Sequence, residues 1–319
     1  MSVILECLSH TPLHGYFDPK PEVVAEVARM SAAARERVRQ FDPELVVVFA
    51  PDHYNGFFYE LMPSFCVGAK ARAIGDYKSL AGDLPVPAEE ARAMVEYVLN
   101  RDIDMAISYR MSVDHGAAQA LEEVTCGLDN YPVIPVFINS VAPPMSPLRR
   151  SRMMGQVIGE YLKSTGKRVL ILGSGGISHE PPIPELKNAT HEISERLIHT
   201  GRNLSPEDRN ARQERVIHAA KAFTAGEAPG MRALNPEWDM AFLKMMQSDL
   251  LAVDRLSNED VSRDAGKSAH EIRAWVAAFG ALSAFGEYAA EIDFYRAIPE
   301  WIAGFAYMHA APKAQGENR

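Results

Sequence analysis

The sequence predicts an α/β protein: an αβα sandwich around a central mixed sheet, with a mainly helical C-terminal portion. Short aliphatic runs at Val3–Leu8, Leu45–Ala50, 133–139 and 168–172 alternate with stretches of helical composition, as strand–helix–strand units do. Three of these runs end within a few residues in a histidine: Val3–Leu8 in His10, Leu45–Ala50 in His53, and 168–172, after a glycine-rich turn, in His179. Ligands of open α/β sheets bind beyond the carboxyl ends of the strands, so three imidazoles delivered to that edge point to a site. A fourth, His115, follows in Val113-Asp114-His115-Gly116. Such a set suggests a metal centre with acid–base groups beside it.

Each element has a local reason. Strand 3–8 runs into a loop in which Pro12 separates His10 from His14, and this rules out the helix that their spacing of four would otherwise suggest. A helix over 21–40 opens on Pro21 and is rich in Ala, Val, Glu and Arg. Strand 45–50 delivers Pro51-Asp52-His53, and 54–85 is turn-rich. A helix at 89–99, a strand at 103–109 and a short helix at 119–124 come next. Strand 133–139 contains Pro135, which predicts an edge position or a bulge. Behind Pro143, Pro144 and Pro147, a helix over 148–164 is closed by Gly166. After strand 168–172, helices dominate at 190–199, 205–224, 236–248, 257–262 and 268–287, before a last strand at 301–308. Residues 1–311 read as a single catalytic domain and 312–319 as a disordered tail.

Composition excludes several classes. A chain of 319 residues with 47% hydrophobic residues has ample core for a soluble enzyme. A formal net charge of −9 and the lack of a basic patch argue against nucleic acid. An anionic substrate needs only one local Arg or Lys. Cys7, Cys66 and Cys126 lie far apart, which excludes a zinc ribbon or disulfide scaffold. No run approaches the roughly 20 apolar residues of a membrane span, and no signal segment opens the chain. The expectation is a cytoplasmic protein with no membrane partner.

The motifs also have bland readings. Gly173-Ser174-Gly175-Gly176-Ile177-Ser178 follows a strand, but the third fingerprint glycine is missing and Pro181, Pro182 and Pro184 block the helix that would hold a pyrophosphate. Nor does Ser174 sit in a nucleophile-elbow frame. The glycines instead let the backbone pass close to a ligand, with His179 held by the prolines behind it. Asp52 is either a partner that orients His53 or a turn residue. Ser268-Ala269-His270-Glu271 reads as a capping box, with Ser268 as N-cap; alternatively, Glu271 shares a helical face with Ala274, Trp275 and Ala278 and needs a partner such as a metal. His191, His199, His218, His270 and His309 read as surface residues, and Met240 to Met246 as core or lid packing.

Taken together, Ser9-His10-Thr11-Pro12, Pro51-Asp52-His53-Tyr54, Asp114-His115-Gly116, Gly173 to His179 and His270-Glu271-Ile272-Arg273-Ala274-Trp275 closely resemble the class III extradiol ring-cleavage dioxygenases, in order and spacing and over essentially the whole chain. The resemblance implies Fe(II) held by His10, His53 and Glu271, with His115 and His179 as acid–base residues. It also implies a catechol substrate with a propionate or propenoate side chain, O2 as co-substrate, and a homo-oligomer of four or more subunits. Two imidazoles and a carboxylate on one face of iron leave adjacent positions for a diol and O2. On this reading His179 is the base that deprotonates the diol, His115 the acid that protonates the departing oxygen, and Asp114 the partner of His115. Arg149, Arg150 and Arg273 are the candidate partners of the substrate carboxylate. An alternative for the same donors is a zinc-dependent hydrolase, which metal content and O2 uptake would separate from the dioxygenase.

Overall fold

The strands that carry the histidines lie side by side. The computed structural model describes residues 2–313. Its main sheet has eight strands in the order β10-β11-β1-β9-β2-β8-β3-β6. These are β1 (Val3–Leu8), β2 (Leu45–Ala50), β3 (Phe65–Gly68), β6 (Ala106–Ser108), β8 (Val133–Ile138), β9 (Val169–Ser174), β10 (Tyr288–Ile298) and β11 (Ala303–Pro312). The central four, β1, β9, β2 and β8, run parallel, while β11 and β3 flank them antiparallel. The sheet is therefore mixed, as expected. A second sheet of three strands, in the order β5-β4-β7, contains β4 (Ala71–Ile74), β5 (Ala81–Asp83) and β7 (Met111–Val113).

Helices cover both faces, which explains why the central strands read as unbroken apolar runs. In β2, Leu45, Val47 and Phe49 join one core, and Val46, Val48 and Ala50 join the other. The first core packs under α2 (Ala88–Leu99), α4 (Leu148–Thr165) and α9 (Ile272–Ser283); the second packs under α1 (Pro21–Phe41) and α3 (His115–Thr125). The remaining helices are α5 (His191–Ile198), α6 (Pro206–Thr224), α7 (Pro236–Ser248) and α8 (Asn258–Asp264), close to their expected bounds. Met246 of α7 is buried, and Met240 and Met245 pack beside it.

Four expectations need correction. The turn-rich stretch holds β3, β4 and β5, whose three or four residues give too little alternation to read. The strand β10 leaves no alternating pattern in the sequence because its faces mix burial and a register shift interrupts its ladder between Ile292 and Phe294. Pro135 lies in an interior strand, not at an edge: the ladder to β3 ends at Val136, so the proline falls just past the last registered pair and leaves no donor unmet there. Pro312, expected in the tail, pairs with Tyr288 in β11; residues 314–319, the end of that stretch, lie outside the described residues.

The contact that places the site is α4 against α9. A Cβ on Gly155 would lie 2.0 Å from the Ala277 carbonyl oxygen, and one on Gly159 would lie 2.1 Å from that of Ala281. The two backbones thus touch along a glycine stripe, which fixes α9 and the Glu271 that precedes it. Alanine at either position should raise helix propensity yet lower stability, by about 1–3 kcal/mol from overpacking. Urea unfolding of Gly155→Ala and Gly159→Ala checks this, and an unchanged midpoint in both would show that α9 stands further off.

Candidate metal centre and substrate pocket

The histidines meet because their strands are neighbours. His10 lies two residues beyond β1, and its Nδ1 donates to Ser174 Oγ (3.0 Å), whose hydroxyl donates in turn to the Gly116 carbonyl. Its Nε2 lone pair then faces Glu271 Oε2 at 3.5 Å. Burial lowers the His10 pKa to about 3. His53, just past β2, donates from Nδ1 (3.0 Å) and from its backbone N–H (2.8 Å) to Asp114 Oδ2, and its Nε2 stands 3.0 Å from Glu271 Oε1. His179 donates from Nδ1 to the Ile177 carbonyl (3.2 Å) and brings Nε2 to 3.1 Å from the same Glu271 oxygen. The ring comes this close because residue 176 is glycine: a Cβ there would lie 2.7 Å from His179 Cε1.

Glu271 is the hub. Its carboxylate is 1% exposed and takes one further donor, the Gly176 N–H at 2.9 Å. Burial opposes its charge, but the imidazoles of His179 and His10 outweigh this and hold its carboxyl well below the usual range. For His53, burial is likewise overcome by the carboxylates of Asp114 and Glu271, which hold the ring well above its ordinary value. Each imidazole Nε2 facing this carboxylate needs a proton or a cation between them. Neutral nitrogens and one carboxylate fit a divalent transition metal, whose binding would displace that proton. The ligand nitrogens of His10, His53 and His115 also lie within 4.8 Å of one another.

His115 opens α3. Its ring stacks on His53 with centroids 4.6 Å apart, and its partner is Asp76: Nδ1 donates to Oδ2 at 2.6 Å and the backbone N–H to Oδ1 at 2.8 Å. This corrects the expected pairing with Asp114, which instead backs His53, accepts from Asn55 Nδ2 (2.9 Å) and caps α3 through the Gly116 N–H. Asp76 lies in the turn between β4 and β5, and nothing in the sequence marks it, because its partner is 39 residues away. Among the described residues Asp52 makes no hydrogen bond to a histidine; it accepts the backbone N–H groups of Asn55, Gly56 and Phe57 and shapes the turn after His53. Ser268 makes no capping bond, since a short 3₁₀ turn precedes α9 and puts Glu271 into the site instead.

A cavity of about 690 Å³ opens over this cluster. Its walls are largely apolar, including Pro12, Leu13, Ile183, Ile193, Val216 and Trp301. The arginines that line it are Arg196, Arg212 and Arg215 of α5 and α6, not the three expected. Arg273 is buried and bonds Asn258 Oδ1 and the Ser146 carbonyl, while Arg149 and Arg150 sit on α4, outside the cavity lining. Contacts between distant helices and the pocket carry no local sequence signal.

Residues 5–306 match the family described as the catalytic LigB subunit of aromatic ring-opening dioxygenase, and the chain belongs to that family. It is 66% identical over 98% of its length, and over all of the relative, to a 2,3-dihydroxyphenylpropionate/2,3-dihydroxicinnamic acid 1,2-dioxygenase of Cupriavidus pinatubonensis. Proteins of the same name from Paraburkholderia phymatum (63% identical; 97% of this chain, 98% of the relative) and Klebsiella pneumoniae (54%; 97% and 99%) are similar in extent. The crystal structure of an uncharacterized Escherichia coli K12 protein shares the fold at 15% identity, with a TM-score of 0.51 over 96% of this chain and 98% of that one. The chain is thus an aromatic ring-opening dioxygenase, and the zinc-hydrolase alternative finds no support among these matches. No helix among the described residues is long and apolar enough to cross a membrane.

His270, expected on the surface, is buried beside Glu271; it donates from Nε2 to Ser262 Oγ (2.8 Å) and accepts on Nδ1 from Arg273 (2.6 Å). Burial, and then the Arg273 charge, lower its pKa to about 3. The unfolded chain takes up a proton at this residue near pH 6.5, whereas the folded chain does not until near pH 3. Its contribution to stability is therefore complete above pH 6.5 and falls away as the pH drops toward 3, by at most about 1.4 kcal/mol per pH unit. Urea midpoints between pH 7 and pH 4 should decline less steeply in His270→Gln than in the native protein. Equal slopes would mean that the folded state protonates His270 freely.

Proposed function

We propose that the chain is an Fe(II)-dependent extradiol dioxygenase that opens the ring of 3-(2,3-dihydroxyphenyl)propionate, and of 2,3-dihydroxycinnamate, with O2. The product from the saturated substrate is 2-hydroxy-6-oxonona-2,4-diene-1,9-dioate. The observation that carries this reading is the convergence of His10 Nε2, His53 Nε2 and the Glu271 carboxylate, with two further histidines, at the foot of an apolar pocket. The activity named for the relatives supports the substrate. Bound by His10, His53 and Glu271, Fe(II) would supply adjacent positions where the diol and O2 meet.

The remaining work falls to protein side chains. With its Nδ1 proton held by the Ile177 carbonyl, His179 turns Nε2 into the site, where that nitrogen, freed of the proton it shares with Glu271, suits a base for the catechol hydroxyl. His115 has a carboxylate, Asp76, behind Nδ1, which orients the ring so that Nε2 is placed to give a proton to the oxygen leaving the ring. Asp114 and Ser174 fix the rings of His53 and His10 with Nε2 inward. Apolar walls keep water from the reacting ring.

Anaerobic reconstitution with ferrous salt should restore activity that chelation removes, and full activity in an iron-free, zinc-loaded preparation would overturn the proposal. His10→Ala, His53→Ala and Glu271→Ala should each lose stoichiometric iron. Stoichiometric iron with activity in Glu271→Ala would place the carboxylate ligand elsewhere.

His115→Gln and His179→Gln should retain iron and lose about 10²–10⁴ in turnover. Anaerobic catechol binding followed by optical spectroscopy separates the two: deprotonation of the diol should fail in His179→Gln and proceed in His115→Gln. Asp76→Asn should follow His115→Gln in direction. The reverse spectroscopic pattern would exchange the two roles.

A further inference from the structure

The pocket presents three guanidinium groups, and they differ in what they are already doing. Arg212 donates to the His53 and Tyr54 carbonyls and to Asn55 Oδ1, so it braces the loop behind His53. Arg196 pairs with Glu192 of its own helix at 2.9 Å, and Glu192 lines the same cavity. Arg215 also lines the cavity, and among the described residues it enters no ion pair or side-chain hydrogen bond. It is exposed and stands at the mouth, one turn along α6 from Arg212, a rise of about 4.5 Å.

The surroundings make an uncommitted cation there informative. The inner end of the pocket is acidic, with Glu271 in the lining and Asp114 and Asp76 directly behind His53 and His115. The chain as a whole carries a formal charge of −9. An anionic substrate entering such a protein gains from a positive group at the entrance, and a guanidinium fits a carboxylate with two parallel N–H···O bonds. Val216 is in the wall beside it, with Ile193 and Trp301 also lining the cavity, so the path from the histidines to Arg215 suits an aromatic ring and a short alkyl chain.

We infer that Arg215 binds the side-chain carboxylate of the substrate and is the residue by which the enzyme prefers carboxyalkyl catechols to neutral ones. The inference rests on the proposed substrate reading. The guanidinium acts on binding and orientation and takes no part in proton transfer, so its loss shows mainly in KM.

The test compares 3-(2,3-dihydroxyphenyl)propionate with 3-propylcatechol, which has the same chain length without the charge, on iron-loaded native protein, Arg215→Gln, Arg215→Lys and Arg196→Gln. In Arg215→Gln, KM for the propionate should rise at least about tenfold, the scale of a lost charged hydrogen bond, with kcat changed less than about twofold. KM for propylcatechol should stay unchanged, and Arg215→Lys should recover part of the loss. Unchanged propionate kinetics in Arg215→Gln, an equal loss on both substrates, or a larger loss in Arg196→Gln would overturn the assignment. Native protein that handles the two substrates alike would overturn the substrate reading itself, a result distinguishable from the others because it needs no variant.

Discussion

A single buried carboxylate organises this molecule. Glu271 is out of water, and burial makes its charge costly unless opposite charge or donors surround it. The surroundings come from four places: His10 after β1, His53 after β2, His179 after β9, and the Gly176 backbone. Each needs its own support to face inward. Ser174, Asp114 and the Ile177 carbonyl hold the outer nitrogens of the rings, so the inner nitrogens all present to one small volume. The same arrangement that satisfies a buried carboxylate makes a set of donors for a divalent cation.

The fold serves that convergence in two ways. The parallel arrangement of β1, β9 and β2 puts their carboxyl ends side by side, and hence the three loops that carry the histidines. The glycine stripe of α4 then allows α9 to lie backbone to backbone against it, which brings the start of α9 over the end of β9; a Cβ on Gly175 would stand 2.7 Å from the Glu271 carbonyl oxygen. Glycine at 155, 159, 175 and 176 is a matter of distance more than of backbone angle. The tolerance is set by a methyl group.

Charge is divided along the pocket. Carboxylates lie behind the histidines at the inner end, and guanidinium groups on α5 and α6 stand at the outer end. The inner negative charge suits a cation and proton transfer, while the outer positive charge suits the anionic end of a substrate. Arg212 links the two ends, since it is anchored on the backbone of the His53 loop. A substrate drawn to α6 is thus drawn to the helix that braces the loop of His53.

The strands β1 and β2, most helix bounds, and the histidines at 10, 53, 115 and 179 were legible in the sequence, because apolar periodicity and strand-end position are local properties. From its pattern alone Glu271 was legible as a carboxylate on an apolar face, with capping as the competing reading; the family resemblance pointed to the metal, and the structure shows no capping bond from Ser268. Tertiary structure alone decided which acid serves which histidine. Asp114 neighbours His115 in sequence yet bonds His53, because the first turn of α3 points the two side chains apart and leaves His115 to Asp76, delivered by a hairpin of the small sheet. It also decided which arginines face the pocket, since that depends on where α5 and α6 pack around the cavity rather than on any motif. Short-range chemistry is written along the chain, whereas partnerships between residues dozens of positions apart exist only once the backbone has closed.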